Sequence, residues 1–521
     1  MPDTISHLLC RGLIAAGVDA LYCLPGVQND DFFNVLVDFP ELRPIVTRHE
    51  QGASYMAAGA AQATGRPAAY CVVPGQGVLN AAAGHSTALA TGGRVFALIG
   101  QNRTNLIEAG HGLLHEIPDQ LSILARISKH AVALRDPAQA PGQIAEAFHR
   151  LASGHPAPVT VECPLNLWTA PAEGQPTPEP EFPALDTDAI ERAAALLAGA
   201  ERPLIMLGGG AHGAADSIAE LVEMLGAPVA ALRQGKGAYD ERKPLAVPGP
   251  VAYKLYAQAD VVLGIGTRLQ TQEMMWGVDD ALALIQITAD PAEAGRRGKA
   301  AVAIKAMAED AVPALVRALE GRLGRRPDRI EELAGMKAEL ARDTEHLPQV
   351  AHLKVLREEM GEDDVFLDDL TQVSFAARFA FPVAKPRGYL SAAYAGTLGW
   401  GLPGGLGAQI ARPDVRVVNV QGDGGFMYAA NELATAVKYN VPLVTVVYND
   451  NAYGNVQRIQ TDRFGHNRTI ASDLTNPDIV KFAESFGAMG LRAGTPEELR
   501  AALRQAFLAG GPAVIEVPVP E

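Results

Sequence analysis

A chain of 521 residues is too long for one domain, and at roughly 150 residues each three or four are expected. It is 48% hydrophobic and 20% charged, which excludes a mainly disordered chain, and its 52 glycines follow no collagen-like period. The net charge of −15 argues against a general binder of nucleic acid or anionic membrane.

The N-terminus begins with Asp3 and Thr4 and runs into an amphipathic helical pattern, which makes a poor signal peptide. Cys10, Cys23, Cys71 and Cys163 form no CxxC and fit reduced core thiols of a cytoplasmic protein. Further along, apolar β-rich runs alternate with longer helical patterns, the rhythm of α/β parallel sheets. Strands are expected at residues 69–73, 95–99, 204–207, 261–264, 415–420 and 443–448. Helices are expected at 52–64 and from 427 to about 439. Residues 170–184 carry Pro171, Pro176, Pro178, Pro180 and Pro183, which favours an extended linker. Residues 321–349 are charged and helical in pattern, with few residues suited to a core. Residues 388–411 hold no charge, but their seven glycines and Pro403 read as a buried turn and helix, not a membrane span. The reading is three domains, at 1–170, 185–320 and 346–521, each a mainly parallel sheet flanked by helices. The middle one is Rossmann-like.

An internal repeat links the outer two domains. At a constant offset of 347, Ala61-Gln62 matches Ala408-Gln409 and Val73 matches Val420. Gly75-Gln76-Gly77 matches Gly422-Asp423-Gly424, and Asn102 matches Asn449. The order strand, G-x-G, helix, strand, Asn points to duplication of one fold.

The densest chemistry is in the third domain. One strand runs into Gly422-Asp423-Gly424-Gly425, and the next ends in Asn449-Asp450-Asn451 and then Ala452-Tyr453-Gly454. In a parallel βαβ unit the two loops leave the same sheet edge and face one another. Glycines let a ligand approach the backbone, and a helix N-terminus offers amides to phosphate oxygens. Asp423, Asp450 and the Ala452 carbonyl are hard oxygen donors, suited to Mg²⁺ bridged to a ligand's phosphates. An ordinary glycine turn beside an Asn/Asp loop is the plain alternative.

These motifs resemble the thiamine-diphosphate (ThDP) enzymes, in particular the acetolactate synthase, pyruvate oxidase and 2-oxo acid decarboxylase group (benzoylformate decarboxylase-like). The resemblance rests on Leu406-Gly407, Pro413, Val418-x-Val420-x-Gly422-Asp423-Gly424-Gly425 and Asn449-Asp450, and it extends over essentially the whole chain. It implies Mg²⁺ on Asp423, Asp450 and the Ala452 carbonyl. Gly422, Gly424, Gly425, Tyr453 and Gly454 would lie around the diphosphate, and Gln372 would touch it; an exposed loop residue is the other reading of Gln372. Residues 45–50, Ile-Val-Thr-Arg-His-Glu, read as a strand ending in an acid and resemble the motif whose Glu bonds the pyrimidine N1′. That makes Glu50 the residue whose shared proton promotes the C2 ylide. Gly75 and Asn80 follow the same pattern. Gly396-Thr397-Leu398-Gly399 resembles the turn whose bulky apolar residue, here Leu398, props the cofactor into its bent shape. The resemblance also implies a homo-oligomer, a dimer at least with a homotetramer expected, with Glu50 and the diphosphate site contributed by different subunits.

The substrate side departs from acetolactate synthases. His115-Glu116 stands where they hold Phe-Gln, Leu165 where they hold Lys, and residues 248–252 lack the Met-His-Gly that helps hold FAD. His115 and Glu116 are the natural acid–base groups, with Gln101 and His85 as further candidates; a structural histidine is the alternative for His115 and His85. Gly208-Gly209-Gly210 and Gly264-Ile265-Gly266-Thr267-Arg268 leave FAD or ADP open in the middle domain, and residues 270–276 either lean over the active site or pack. The reading is a decarboxylase or carboligase acting on a small 2-oxo acid or related carbonyl. A flavin-containing pyruvate oxidase-like enzyme and a nucleotide-binding protein without ThDP are the alternatives.

Overall fold

The computed structural model describes residues 3–177 and 179–519, so Pro178 of the proline-rich linker lies outside the described residues. The first sheet contains β1 (Ala20–Cys23), β2 (Arg43–Val46), β3 (Ala68–Val72), β4 (Val95–Gln101), β5 (His130–Ala133) and β6 (Val159–Pro164) in the order β2-β1-β3-β4-β6-β5. The middle sheet contains β7 (Pro203–Leu207), β8 (Val229–Ala231), β9 (Val261–Ile265), β10 (Ala283–Thr288) and β11 (Ala300–Lys305) in the order β11-β10-β9-β7-β8. The last part of the chain adds β12 (Val365–Asp368), β13 (Tyr389–Ser391), β14 (Val417–Gly422), β15 (Val444–Asn449), β16 (Met489–Arg492) and β17 (Ala513–Pro518). There β12-β14-β15-β17-β16 lie side by side, the same order as β1-β3-β4-β6-β5. That shared path is what a duplicated domain leaves, and it agrees with the 347-residue repeat. Each of the six expected strands is present within two residues of its expected ends.

The chain forms two compact units. One holds the first sheet and the third, and the other (182–365 and 372–391) holds the middle sheet. Within the second unit, alternation along the strands buries both faces of the middle sheet, as a sheet covered by helices on both sides requires. Ile205, Leu207, Leu263, Ile265, Ile285 and Ile287 face one core, while Leu204, Met206, Val262 and Leu284 face another. The charged segment 321–349 contains the helix Ile330–Thr344, and it contributes more to a core than its composition suggests. Leu333 is fully buried in the second of these cores, with Met336 and Leu340 packed against it.

In the first unit the four cysteines are buried and unpaired, and they belong to one core with Leu21, Phe96 and Val159. Two helices of small residues join the outer domains. The helix Glu50–Thr64 lies so close to the helix Gly401–Ala411 that a methyl at Gly59 would collide with the Gly404 carbonyl, and one at Gly407 with the Met56 carbonyl. Residues 388–411 accordingly form β13, a turn and this buried helix, and among the described residues no helix is long and apolar enough to cross a membrane.

Candidate functional site

Glu50 is not at a strand end. The strand β2 stops at Val46, and Glu50 is the first residue of the helix Glu50–Thr64, two residues earlier than periodicity indicates. His49 explains the early start: it is extended, and its Nδ1 accepts the Gln51 N–H at 3.1 Å as an N-cap. Glu50 is about nine-tenths buried, and its Oε2 accepts from the Asn80 amide at 3.0 Å. Asn80 lies in the first turns of the helix Gln76–Thr91, whose cap, Gly75, has φ +59°. No larger residue fits there: a methyl at Gly75 would collide with the His115 carbonyl.

A buried relay fixes Gly75. Its N–H donates to Gln120 Oε1 at 2.6 Å, Gln120 Nε2 donates to Glu162 Oε2 at 2.8 Å, and Arg135 lies 3.3 Å from Glu162 Oε1. His115 has φ +61°, with its Nδ1 3.3 Å from Gln28 Oε1. The Glu116 carboxylate accepts the Leu113 N–H at 2.9 Å and the Gly110 N–H at 3.0 Å, and these backbone donors hold its pKa below the usual range. Gln101, at the end of β4, turns its side-chain oxygen to the Asn102 N–H at 2.8 Å and accepts the Leu165 N–H on its carbonyl. His85 is fully buried between Tyr70 OH (3.0 Å) and Ser128 Oγ (2.8 Å), and burial pushes its pKa down to about 3. It is a structural histidine, kept neutral.

In the third domain β14 and β15 pair in parallel, with Gly422 opposite Tyr448, so Asp423 and the Asn449–Ala452 loop leave the sheet edge together. The helix after Gly422 begins at Asp423, not at Met427, and it is broken at Ala429 before the turn Ala430–Glu432 and the helix Leu433–Lys438. Asp423 is therefore at the N-terminus itself, among free amides. Burial, with the Asp450 carboxylate adding to it and the Gly424 N–H and the Asn476 amide opposing it, raises its pKa to about 6. Asp450 Oδ1 accepts the Ala452 N–H at 3.2 Å, and a methyl at Gly454 would collide with its Oδ2. At Gly424 a methyl would stand 2.7 Å from the Tyr453 ring. The turn before these loops has Gly396 at φ +59° and Leu398 half-buried, with Thr397 Oγ1 2.6 Å from Tyr55 OH. Gln372 opens the helix Gln372–Ala380, which belongs to the second unit.

Among the described residues no group of three or more His, Cys, Asp or Glu side chains is placed to hold a metal ion. Asp450 stands beside Asp423 and disfavours its charge, which a divalent cation would relieve. Among the described residues this pair of carboxylates suits a hard divalent cation that also takes oxygens from a ligand.

Three further residues join the site without belonging to a motif. Asn476 Nδ2 donates to Asp423 Oδ2 at 2.5 Å and reaches Asn449 Oδ1 at 3.0 Å. Asp369, buried and raised to about 6 by that burial, accepts the Gly401 N–H at 3.0 Å. Glu432 takes backbone N–H groups of Arg48 and His49. A Pro after Asn476 and a periodic helix around Glu432 were the available signals, and neither indicates a ligand.

Three family models match along the chain: the N-terminal TPP binding domain of thiamine pyrophosphate enzymes at residues 3–123, the central domain at 190–315 and the C-terminal TPP binding domain at 369–517. The chain belongs to the thiamine pyrophosphate enzyme family. It is 30% identical to a probable acetolactate synthase large subunit of Methanocaldococcus jannaschii, covering 98% of this chain and 91% of that one. A probable 2-ketoarginine decarboxylase of Pseudomonas aeruginosa is 31% identical over 99% of this chain and 94% of its own length. Acetolactate synthase of Bacillus subtilis is 31% identical, with 99% and 93% covered. The matches leave a nucleotide-binding protein outside this family without support, and they agree with three domains each built on a parallel sheet.

In the middle domain the two glycine loops lie against each other. The Gly208 N–H donates to the Ile265 carbonyl at 2.9 Å and the Gly210 N–H to the Gly266 carbonyl at 3.1 Å, so the ends of β7 and β9 close on each other. Residues 272–276 form a π-helix, in which Trp276 packs against Tyr253 and Tyr256 while Met274 and Met275 are exposed.

Proposed function

We propose that the protein is a ThDP- and Mg²⁺-dependent decarboxylase or carboligase acting on a small 2-oxo acid. The observation that carries this reading is the pairing of two constellations in one family member: Glu50 held by Asn80, and Asp423 beside Asp450 at neighbouring strand ends. Support for a 2-oxo acid comes from the relatives, one of which is named for 2-ketoarginine and others for acetolactate.

When bound, ThDP supplies a carbon nucleophile that adds to the substrate carbonyl and takes up the electron pair released when a C–C bond breaks. The chain's residues prepare the rest. Glu50, poorly solvated at a helix start, holds a proton between its carboxylate and the pyrimidine nitrogen. Asn80 fixes the direction of that carboxylate through its Oε2. Asp423, Asp450 and the Ala452 carbonyl hold Mg²⁺, and the amides from Gly424 onward, with Gly422, Gly425, Tyr453 and Gly454 around them, receive diphosphate oxygens. Gly75 shapes the turn that leads to Asn80, and Gly396 and Leu398 would support the cofactor. On the substrate side His115 exchanges protons and Gln101 orients the carbonyl. Glu116 serves this loop by holding its amides. The active assembly is a homodimer or larger, each site drawing Glu50 from one subunit and Asp423 from another.

The test is CO₂ release from a panel of 2-oxo acids with ThDP and Mg²⁺, comparing wild type with Glu50→Gln. At least one acid should be turned over, and the variant should lose about 10²–10⁴-fold with its fold intact. Near-normal turnover by Glu50→Gln would falsify the role given to Glu50.

A further inference from the structure

Glu432 lies outside every motif above, yet it ties the third domain to the turn that launches Glu50. It is fully buried at the end of the turn Ala430–Glu432, just after the Asp423 helix. Its Oε1 accepts the N–H groups of Arg48 and His49, each at 3.0 Å, and its Oε2 accepts the Arg48 N–H at 3.2 Å and the Thr435 hydroxyl at 2.6 Å. Gly52, two residues into the helix of Glu50, makes room for it, since a methyl there would collide with Oε1.

The side chains of Arg48 and His49 are exposed, so their own packing does not fix these two residues between buried Thr47 and Glu50. On either side of these two amides, the Thr47 N–H donates to the Cys23 carbonyl at 2.9 Å, Thr47 Oγ1 to the His49 carbonyl at 3.0 Å, the Val46 N–H to Tyr439 OH at 2.9 Å, and His49 Nδ1 accepts the Gln51 N–H at 3.1 Å. Glu432 takes the two amides immediately before Glu50, both on its Oε1. Asn80 fixes one carboxylate oxygen of Glu50, and the main chain leading into it fixes where that carboxylate starts from.

We infer that Glu432 is a positioning residue for Glu50, setting the main chain at Arg48–His49 and through it the approach of the Glu50 carboxylate to the aminopyrimidine. This rests on the function proposed above. Glu432 itself touches neither cofactor nor substrate.

The test combines amide hydrogen exchange of the apoprotein with a double-mutant cycle. In Glu432→Ala the amides of Arg48 and His49 should exchange at least about tenfold faster. Turnover should fall about 30-fold or more in an otherwise wild-type chain, with no added loss in a Glu50→Gln chain, because the effect passes through Glu50. Glu432→Gln keeps one acceptor oxygen and should restore both readouts to within about fivefold. Should Glu432→Ala not fold, Gly52→Ala displaces the carboxylate from the other side with the same expectations. Unchanged exchange at Arg48 and His49, or a full further loss on top of Glu50→Gln, overturns the inference. Full activity in Glu50→Gln alone overturns the underlying function instead, so the two failures are distinguishable.

Discussion

At the scale of single residues, the site is built from carboxylates held where water does not reach them easily. Glu432 shows the energetic consequence. Burial raises its pKa from an ordinary carboxylic acid's to about 7. A carboxyl whose folded pKa is raised contributes stability that is fully present below its unfolded pKa and is lost as pH rises through the folded one. For Glu432 that window runs from about pH 4.5 to about pH 7. Glu432→Gln cannot ionise, so its stability should fall less across the window. By denaturant unfolding of the apoprotein at about pH 5 and about pH 7.5, wild type should lose about 1–3 kcal/mol more than the variant. Equal losses would show that Glu432 does not titrate in this range. In the sequence, Glu50 and Asp423 were legible because each sits in a motif with fixed neighbours. Glu432, Asp369 and Asn476 were not, because their partners lie far along the chain and only the fold brings them together.

At the scale of elements, strands were more legible than helix starts. Apolar runs ending in glycine mark a buried parallel strand directly, and all six expected strands are present. Helix starts depend on caps. His49 and Gly422 cap their helices earlier than hydrophobic periodicity suggests, and this moves both Glu50 and Asp423 to helix N-termini. The glycine excess also belongs to this scale. Gly59, Gly404 and Gly407 let two helices touch through their backbones, so their role is close approach more than flexibility. Gly407→Ala should cost about 1–3 kcal/mol, since its methyl would meet the Met56 carbonyl, which cannot rotate away. Gly335→Ala, in the helix Ile330–Thr344 with open space around it, should instead be neutral or gain up to about 1 kcal/mol. Thermal unfolding of the two variants separates packing from propensity, and equal effects would refute the packing explanation.

At the scale of the whole molecule, length alone allowed three or four domains, and the 347-residue repeat together with the two linker stretches pointed to three. The matching strand order of the outer sheets supplies the structural side of that repeat. Duplication also accounts for the division of labour, because the two related sheets place different chemistry at equivalent edges: Gly75 and the Glu50–Asn80 pair after one, Asp423 and Asp450 after the other. A charge of −15 sits comfortably with a diphosphate cofactor, since backbone amides and a divalent cation, not a basic surface, would meet the phosphate charge. The most direct measurement is calorimetric titration of ThDP into the apoprotein with and without Mg²⁺, for wild type and Asp423→Asn. Wild type should bind ThDP with Mg²⁺ at least about tenfold more tightly than without it, and the variant should lose that dependence. ThDP binding that is equally tight without Mg²⁺, or unchanged in Asp423→Asn, would contradict the account.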